Sequence, residues 1–515
     1  MVNEKLLTAL RALNGNRASL ETVVLSGTSD VQVYPKSVIE QNNVVFFIGK
    51  TGVAKHIYLV SEVSGKNPLS SSFEGESVAD GVLKCPLSHH NAKAVQSIFD
   101  FTRPVLLDIA DSYGLGCRIG LANPGHLRAI AGTGIKPILA QQSIRELERT
   151  NRQAEDVMDA AVWAVMQEGY RDGFGSDADH LKTTDDIDRM IKAGFTMITF
   201  DPSDYVVNEA DTLSVAELES KTGDIPWSDL NDDCENFLNR YCDQSYKISD
   251  DLEIKSSREE VLRGLVKYGS AIAHIARLFR YLSATYPDYP FELEISVDET
   301  DSVTTPFEHL LVASELKRLG IRVVSLAPRF VGDFEKGIDY KGDLDLFKQE
   351  YIKHLQISEA YGPYKISIHS GSDKFGVYEV IGSLHQGHVH VKTAGTSYLE
   401  ALKAAALKDQ ALFREILDFS RGLYEQEKKT YHVSADINKV KAADDYADDE
   451  LEGLFDSNDV RQVLHVTFGK VLTTKNSDGS YLFRDRLLNC LEKNENTYYD
   501  LIEKHFKKHI MPFVQ

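Results

Sequence analysis

The sequence predicts an α/β fold: a (β/α)8 TIM-type barrel with an N-terminal extension, an insertion after strand 4 and a C-terminal helical region. Eight short apolar runs recur between residues 100 and 400, and helical patterns follow most of them. Apolar strands that alternate with helices are typical of a parallel sheet, and eight such units favour a closed barrel over an open sheet. The predicted strands are 104–111, 136–143, 175–182, 196–203, 291–299, 322–329, 364–372 and 388–395.

Helix signals between the runs support this order of elements. The third run is polar, and it is assigned as a strand because a helical pattern at 150–170 precedes it and another at 183–194 follows it. The second of these helices has Thr183 or Thr184 as its N-cap and Gly194 as its stop. A further helix is expected to begin at Thr396 or Ser397, directly after the last predicted strand.

Three segments lie outside the repeating pattern. Residues 1–100 form an N-terminal extension or cap, with strand-like patterns at 44–49 and 56–63. The barrel is expected to span 101–430, with residues 204–290 as an insertion near its catalytic face, because this stretch is too long for a loop. Residues 431–515 are expected to be mostly helical.

Bulk composition narrows the class of protein. The chain has 515 residues, 42% of them hydrophobic and 26% charged, and a net charge of −21, which argues against nucleic acid as a partner. Nothing approaches eighteen consecutive apolar residues, so no membrane span is expected. The amino-terminal MVNEKLLTALRALNGN lacks the features of a signal peptide, and the five cysteines form no CxxC pair. We therefore expect free thiols and a cytoplasmic protein.

Polar side chains collect at the ends of the predicted strands. In barrels of this kind the active site is built from residues at the carboxyl ends of the strands. A purely structural barrel does not need such a ring of polar groups. Its members are Asp108, Asp111, Gln141, Gln142, Asp179, His180, Asp201, Glu294, Ser296, Asp298, Arg329, His369, His390 and Lys392.

Three histidines in this ring suggest a metal site. His180, His369 and His390, with one carboxylate, could converge on a divalent cation and leave positions open for substrate oxygens. His369 is placed well for this role, because strand alternation carries it into the Ser-Gly-Ser turn that ends its strand. The alternative is a ring of hydrogen-bonded polar residues around a sugar pocket without a metal.

The fifth predicted strand carries several carboxylates on one face. Glu292, Glu294, Ser296 and Asp298 alternate along it, and carboxylates inside a barrel are costly unless they meet a cation, a proton or hydrogen-bond donors. Glu294 is the first candidate for an acid/base group or a metal ligand. The alternative is a salt bridge to a lysine such as Lys365.

Two small-residue turns suggest a site for an anionic group. The turn TAGTS follows Lys392 and the turn SGSDK follows His369, and both lead towards helices whose first N–H groups favour a carboxylate or phosphate. The candidate substrate-binding residues are Lys182, Arg329, Ser370, Lys392 and Thr393. Neither GxGxxG nor GxxxxGK[ST] occurs, so dinucleotide and P-loop sites are not expected.

Long motifs in the sequence resemble those of the tagaturonate epimerase family. They lie at 177–205, 292–309, 325–340, 364–378 and 390–402. The resemblance implies an isomerase that uses a divalent cation such as Zn, Mn, Co or Ni to interconvert D-tagaturonate and D-fructuronate. It implies Asp179 as base, Glu294 as proton donor, roles that could be exchanged, and His180, His369 and His390 as metal ligands.

Other functions stay open at this point. Close relatives of such an enzyme could prefer the neutral ketohexoses tagatose and fructose. A metal-dependent aldose–ketose isomerase could use the same residues, and a non-catalytic sugar-acid-binding protein would bind without turnover. The sequence is compatible with a homo-oligomer.

The chemistry of the implied reaction limits its route. The two ketohexuronates differ at a carbon β to the ketone, where the C–H proton is not acidic. Retro-aldol cleavage followed by re-addition would invert this carbon, and a metal would stabilise the enediolate charge. Transient oxidation would need a tightly held nicotinamide, and the absence of a glycine fingerprint argues against it.

Overall fold

Eight parallel strands close into a barrel at the centre of the structure, a computed structural model that describes residues 2–13, 20–24, 30–62, 67 and 69–514. The barrel strands are β8 (Ser112–Leu115), β9 (Lys136–Ser143), β10 (Gly175–Leu181), β11 (Met197–Phe200), β14 (Glu292–Val297), β15 (Ser325–Pro328), β16 (Lys365–Ile368) and β17 (Val389–Thr393). Their order around the barrel is β10-β11-β14-β15-β16-β17-β8-β9, and every neighbouring pair is parallel. The predicted fold class is thus confirmed.

The first predicted strand is wrong. Residues 104–111 form no strand, and they cover the amino-terminal end of the barrel, where Leu107 packs against Ile138 and Met197. The backbone N–H of Asp108, a residue with a left-handed φ of 49°, donates to Glu292 Oε2 at 2.7 Å. This segment is apolar because it covers the end of the barrel. The real strand, β8, is short and contains Ser112 and a glycine, so it shows little apolar pattern of its own. Asp108 therefore lies at the end of the barrel opposite the expected site.

Helices surround the barrel. The predicted caps of the helix after the third run and the predicted start of the helix after the last strand are confirmed. Thr183 caps α6 by accepting a hydrogen bond from the N–H of Asp186, and Gly194 ends it with a φ of 93°. Gly395 precedes the last helix of the ring. The helices between strands are α3 (Asn123–Ile130), α4 (Ile144–Thr150), α5 (Ala154–Glu168), α6 (Thr184–Ala193), α10 (Arg258–Thr285), α11 (Pro306–Arg318), α12 (Leu344–Tyr361) and α13 (Phe375–Leu384), and α14 (Thr396–Lys408) follows the last strand.

The long segment between β11 and β14 has two parts. Its second part is α10, which packs between α6 and α11 as the helix that links β11 to β14. Its first part carries three short helices and a hairpin: α7 (Val215–Lys221), α8 (Trp227–Leu230), α9 (Cys234–Tyr241), β12 (Gln244–Lys247) and β13 (Glu253–Ser256). The segment begins beside the carboxyl end of β10, where Lys182 Nζ donates to Asp204 Oδ1 at 2.7 Å.

An antiparallel sheet precedes the barrel. The predicted strand patterns at 44–49 and 56–63 correspond to β4 and β5, although residue 63 lies outside the described residues. Lys50 and Lys55 of these strands lie 3.1 and 3.0 Å from the carboxylate of Glu495, so the sheet is tied to a carboxy-terminal helix. The strands of the sheet are β1 (Glu21–Val24), β2 (Asp30–Val33), β3 (Ile39–Gln41), β4 (Val44–Thr51), β5 (Ala54–Ser61), β6 (Glu76–Ala79) and β7 (Val82–Pro86). Helix α1 (Val2–Ala12) precedes them in the chain and helix α2 (His89–Ile98) follows them.

The carboxy-terminal region is largely helical and packs onto the barrel helices. Its last helix lies against α3 and α14. The helices are α15 (Gln410–Glu427), α16 (Asn458–Val466), α17 (Phe468–Thr473), α18 (Arg484–Lys493) and α19 (Glu495–Ile510). In the part of the chain that the structure describes, no helix is long and apolar enough to cross a membrane. The domain boundaries near residues 100 and 430 remain predictions.

Candidate active site

A polar pocket opens at the carboxyl ends of the barrel strands. Strand ends contribute Asp179, His180, His369, Lys392 and Thr393 to its wall. Loops and the carboxy-terminal region close it from above with Arg118, Arg145, Lys336, Tyr431 and His465. The pocket lies where barrel enzymes hold their substrates.

Lys392 lies at the centre of a group of carboxylates. Its Nζ is 2.6 Å from Glu294 Oε1, 2.7 Å from Asp179 Oδ1 and 2.8 Å from Asp177 Oδ2, and it also donates to Thr199 Oγ1 at 2.8 Å. Burial lowers the pKa of Lys392, but the three carboxylates outweigh this effect and hold the pKa well above its usual value. Lys392, predicted to bind substrate, is therefore first of all the counter-ion of these acids.

The carboxylates around this lysine differ in their affinity for protons. Burial raises the pKa of Asp177 to about 6 against the opposing effect of Lys392. Burial also raises the pKa values of Asp179 and Glu294, but Lys392 and the neighbouring histidines outweigh it and bring both values below the usual range. Asp179 lines the pocket, whereas Glu294 has no exposed surface and lies behind the wall.

His369 connects the carboxylate group to the pocket. Its Nε2 is 2.8 Å from Glu294 Oε1, and its Nδ1 is 3.0 Å from Asp298 Oδ1 without meeting hydrogen-bond geometry. Burial lowers the pKa of His369, but the charges of Asp298 and Glu294 raise it to about 10. The His369 ring lies 5.1 Å from that of His180, centroid to centroid.

His180 reaches the pocket through a distortion of its strand. It has a left-handed φ of 56°, and the pairing of β10 with β11 shifts register between Ala178 and Leu181. Regular alternation would turn Asp179 and His180 to opposite faces, but the distortion lets both line the pocket. Left-handed backbone at a residue with a side chain is strained, and such strain is often found at functional sites.

His180 is also held by carboxylates. Its Nδ1 lies 3.2 Å from Asp201 Oδ2 and its Nε2 3.7 Å from Asp179 Oδ1. Burial lowers the pKa of His180, and the charge of Asp179 with the hydrogen bond to Asp201 raises it to about 9.

The structure does not bring His390 to the pocket wall. In the strand register His390 pairs with Ser367, two residues before His369, so it lies about one layer deeper in the barrel. Its Nδ1 is 3.0 Å from Ser112 Oγ, and burial lowers its pKa to about 3. His390 lies deeper than His180 because its strand keeps regular alternation and has no bulge that would bring His390 to the pocket.

The predicted substrate-binding residues fall into two groups. Ser370, Lys392 and Thr393 line the pocket. Lys182 and Arg329 do not: Lys182 is paired with Asp204, and Arg329 donates to a backbone carbonyl and lines an adjoining cavity. Three other cations that line the pocket, Arg118, Arg145 and Lys336, were missed.

Sequence signals for these missed residues were weak. Arg145 is the second residue of α4, which directly follows β9, and Lys336 lies in the loop after β15, within one of the family-like motifs. Both stand beyond the strand ends that the prediction considered. Tyr431 and His465 come from the carboxy-terminal region and are brought to the pocket only by folding.

Two clusters of His, Asp and Glu have ligand atoms within 4.8 Å of one another among the described residues. One, formed by His180, Asp201 and Glu299, adjoins the pocket, where His369 also lies. Nitrogen and oxygen donors of this kind suit divalent cations. His369 Nδ1, close to Asp298 but not hydrogen-bonded, offers a further donor, so the residues present fit a metal.

The second cluster is a hydrogen-bond network that fixes the carboxy-terminal helix. Asp373 Oδ2 lies 2.6 Å from Arg461 Nη2, and the Asp373 N–H donates to His509 Nε2 at 3.0 Å. His505 Nε2 lies 2.8 Å from Asp373 Oδ1. The potential ligand atoms of this second cluster are thus already engaged by other groups of the protein.

The barrel and its pocket define a (β/α)8-barrel enzyme with a lysine, carboxylates and candidate metal ligands at the carboxyl ends of its strands. A model of the tagaturonate epimerase family matches residues 34–512. The tagaturonate/fructuronate epimerase of Thermotoga maritima is 40% identical over 481 residues, which are 93% of this chain and 96% of that protein. This chain belongs to the tagaturonate epimerase family, and the resemblance seen in the sequence is confirmed.

Solved structures agree with this assignment. The native fructuronate-tagaturonate epimerase from Cohnella laeviribosi has a TM-score of 0.87 and 37% identity, with 95% of this chain and 97% of that chain covered. Its complex with one glycerol gives the same TM-score and identity over 94% of this chain and 96% of that chain.

Proposed function

We propose that this chain interconverts D-tagaturonate and D-fructuronate by inverting C4 of the ketohexuronate. The observation that carries this proposal is the family match over nearly the whole chain. Residues from four of the family-like motifs, Asp179, Glu294, His369 and Lys392, meet in one connected group at the pocket, which agrees with it.

His180 and His369 would hold the divalent cation, with a carboxylate such as Asp298 or Glu299 beside them. When bound, the cation would act as a Lewis acid on the ketone and the neighbouring hydroxyl of the substrate. His390 keeps its hydrogen bond to Ser112 and supports the barrel below this site.

Asp179 is the base in this proposal. Lys392 holds its carboxylate ionised at the pocket wall, where it can take the proton of the C4 hydroxyl. As that proton leaves, the C4–O bond becomes a carbonyl, the C3–C4 bond breaks, and its electron pair moves into the ketone of the other fragment. The products of this step are an enediolate of three carbons and an aldehyde of three carbons.

Re-addition completes the inversion. The aldehyde turns, the enediolate carbon attacks its other face, and the new C4 oxygen takes up a proton. The Lys392 ammonium, held between Asp179 and Glu294, gives this proton, and the proton that Asp179 took from the C4 hydroxyl passes to Lys392 Nζ, 2.7 Å away, so that both groups return to their starting state. Glu294 is buried behind Lys392 and His369, so it serves the acid step through them as a positioning residue.

Incubation of the purified protein with D-fructuronate, with and without a chelator, tests the proposal. Formation of D-tagaturonate that stops when metal is removed is the expected result. Formation of an aldose would instead identify an aldose–ketose isomerase, and binding without turnover would identify a sugar-acid-binding protein. We further propose a cytoplasmic location, which the five free cysteines support.

A further inference from the structure

The cations that line the pocket differ in whether an acid already neutralises them. Arg118 Nη2 lies 2.8 Å from Glu146 Oε1, and Lys392 is surrounded by three carboxylates. Arg145 approaches only Glu299, at 3.9 Å, and its guanidinium makes no hydrogen bond within the described residues. Lys336 enters no ion pair in the same part of the chain, and its Nζ donates to Ser370 Oγ at 2.6 Å.

Arg145 and Lys336 lie close to each other and to the reacting groups. Both line the main pocket and the cavity beside it, and so does His369. Burial and the nearby charge of Arg145 lower the pKa of Lys336, and the opposing charges of Glu299, Glu146 and Asp298 do not offset this effect. An anion placed between them would gain from both charges.

The other cations near the strand ends are less suited to this task. Lys182 Nζ is 2.7 Å from Asp204 Oδ1 and 3.7 Å from Asp201 Oδ2. An ammonium already neutralised by carboxylates has little charge left for a substrate. Arg145 keeps its donors free, and a guanidinium binds a carboxylate well because two parallel N–H groups can face its two oxygens.

We propose that Arg145 and Lys336 form a subsite for the carboxylate of the substrate and so select ketohexuronates over neutral ketohexoses. This inference rests on the proposed function. The subsite would also take part in the reaction. Cleavage between C3 and C4 leaves the carboxylate on the aldehyde fragment, so Arg145 and Lys336 would retain that fragment while its carbonyl turns.

The test compares two substrates that differ in this carboxylate. Lys336→Met and Arg145→Met are each assayed with D-fructuronate and D-fructose, and Lys336→Arg serves as the variant that keeps the charge. A hydrogen bond to a charged group contributes about 1.5 to 3 kcal/mol, so KM for fructuronate should rise roughly 10-fold to 150-fold in each methionine variant. The value of kcat/KM for fructose should fall much less, and Lys336→Arg should recover most of the loss.

Control measurements keep the outcomes distinct. Arg322→Met removes an exposed arginine at the opposite end of the barrel, beside Asp108, and should leave both substrates unaffected. Equal losses for fructuronate and fructose, or an unchanged KM for fructuronate in folded methionine variants, would overturn the subsite.

Calorimetric binding covers the case in which the wild-type protein shows no epimerisation. That result would contradict the proposed function, but the affinity for D-fructuronate can still be compared between the wild type and the methionine variants. Weaker binding of fructuronate with unchanged binding of fructose would support the subsite on its own. Equal affinity of all variants for fructuronate would refute it.

Discussion

Lys392 Nζ lies 2.6 Å from Glu294 Oε1 inside a barrel whose interior would ordinarily be apolar. The same ammonium contacts Asp177 and Asp179, so one positive charge balances several acids that have almost no access to water. Removing one partner from a buried ion pair leaves an uncompensated charge, which costs more than the pair contributes. This asymmetry makes Lys392 the residue on which the site depends most.

Lys392→Met should abolish activity and destabilise the fold by about 3 to 5 kcal/mol, because the carboxylates lose their counter-ion in the buried interior. Urea denaturation at pH 7 measures the free energy of unfolding. Lys365→Met is a matched control: Lys365 is equally buried in the barrel, but its Nζ has no hydrogen-bond partner among the described residues. Its replacement should destabilise the fold much less, because Lys365 acts on Glu292 and Glu294 through charge but forms no ion pair among the described residues. Equal destabilisation by both changes would contradict this account.

His369→Ala should remove the bound metal and the activity together while the protein stays folded, because His369 meets His180 at the pocket wall. Elemental analysis of the purified variant measures the metal content per chain. His390→Asn is the comparison, since His390 lies deeper and bonds Ser112. We expect this variant to retain its metal. Loss of metal from the His390 variant would restore the ligand role that the sequence suggested, and a full metal content in the His369 variant would exclude His369.

Substrate that carries deuterium on C4 should keep its label through many turnovers in ordinary water. In the proposed route the bond between C3 and C4 breaks, and the hydrogen on C4 never leaves that carbon. Mass spectrometry of the product measures the label. Its exchange with solvent would indicate direct abstraction of the C4 proton instead. A stoichiometric nicotinamide in the purified protein would favour transient oxidation and require new roles for Asp179 and Glu294.

His126 should make the protein sensitive to acid. Its ring is buried between Asn123 and Ser397, and burial lowers its pKa from 6.5 to about 3. Between these values the unfolded chain binds a proton that the folded chain does not, so stability is present above pH 6.5 and declines as the pH falls. The contribution is at most about 1.4 kcal/mol per pH unit.

Urea denaturation between pH 7 and pH 5 tests this expectation. His126→Gln should show a smaller loss of stability over this range than the wild-type protein. The same change at the exposed His90 serves as the control. A pH dependence that is identical in the wild type and the His126 variant would contradict the role assigned to this histidine.

The barrel itself was largely predictable from the sequence. Seven of the eight predicted runs contain a barrel strand, because strands buried on both faces must be apolar and the helices between them carry their own caps. The remaining run, the first in the chain, failed for a related reason. Residues 104–111 are apolar because they cover the end of the barrel, and an apolar run shows that a segment is buried but not whether it pairs.

The candidate site was predictable in part. Asp179, His180, His369, Ser370, Lys392 and Thr393 line the pocket, as strand-end positions should. For His180 this depended on a bulge with a left-handed residue, which alternation alone does not reveal. His390, on a regular strand without such a bulge, stays one layer below.

The sequence by itself determined the strand-and-helix order, the polar character of the strand ends and the family. Only the tertiary structure decided which charges meet. It placed Lys392 between Asp179 and Glu294, residues more than 90 positions away from it in the chain, and among the described residues it left no carboxylate nearer than 3.9 Å to Arg145 or Lys336 beside the pocket. The physical reason is that hydrophobic periodicity reports the burial of each segment against its neighbours, whereas ion pairing depends on distances of a few ångströms between segments far apart in sequence.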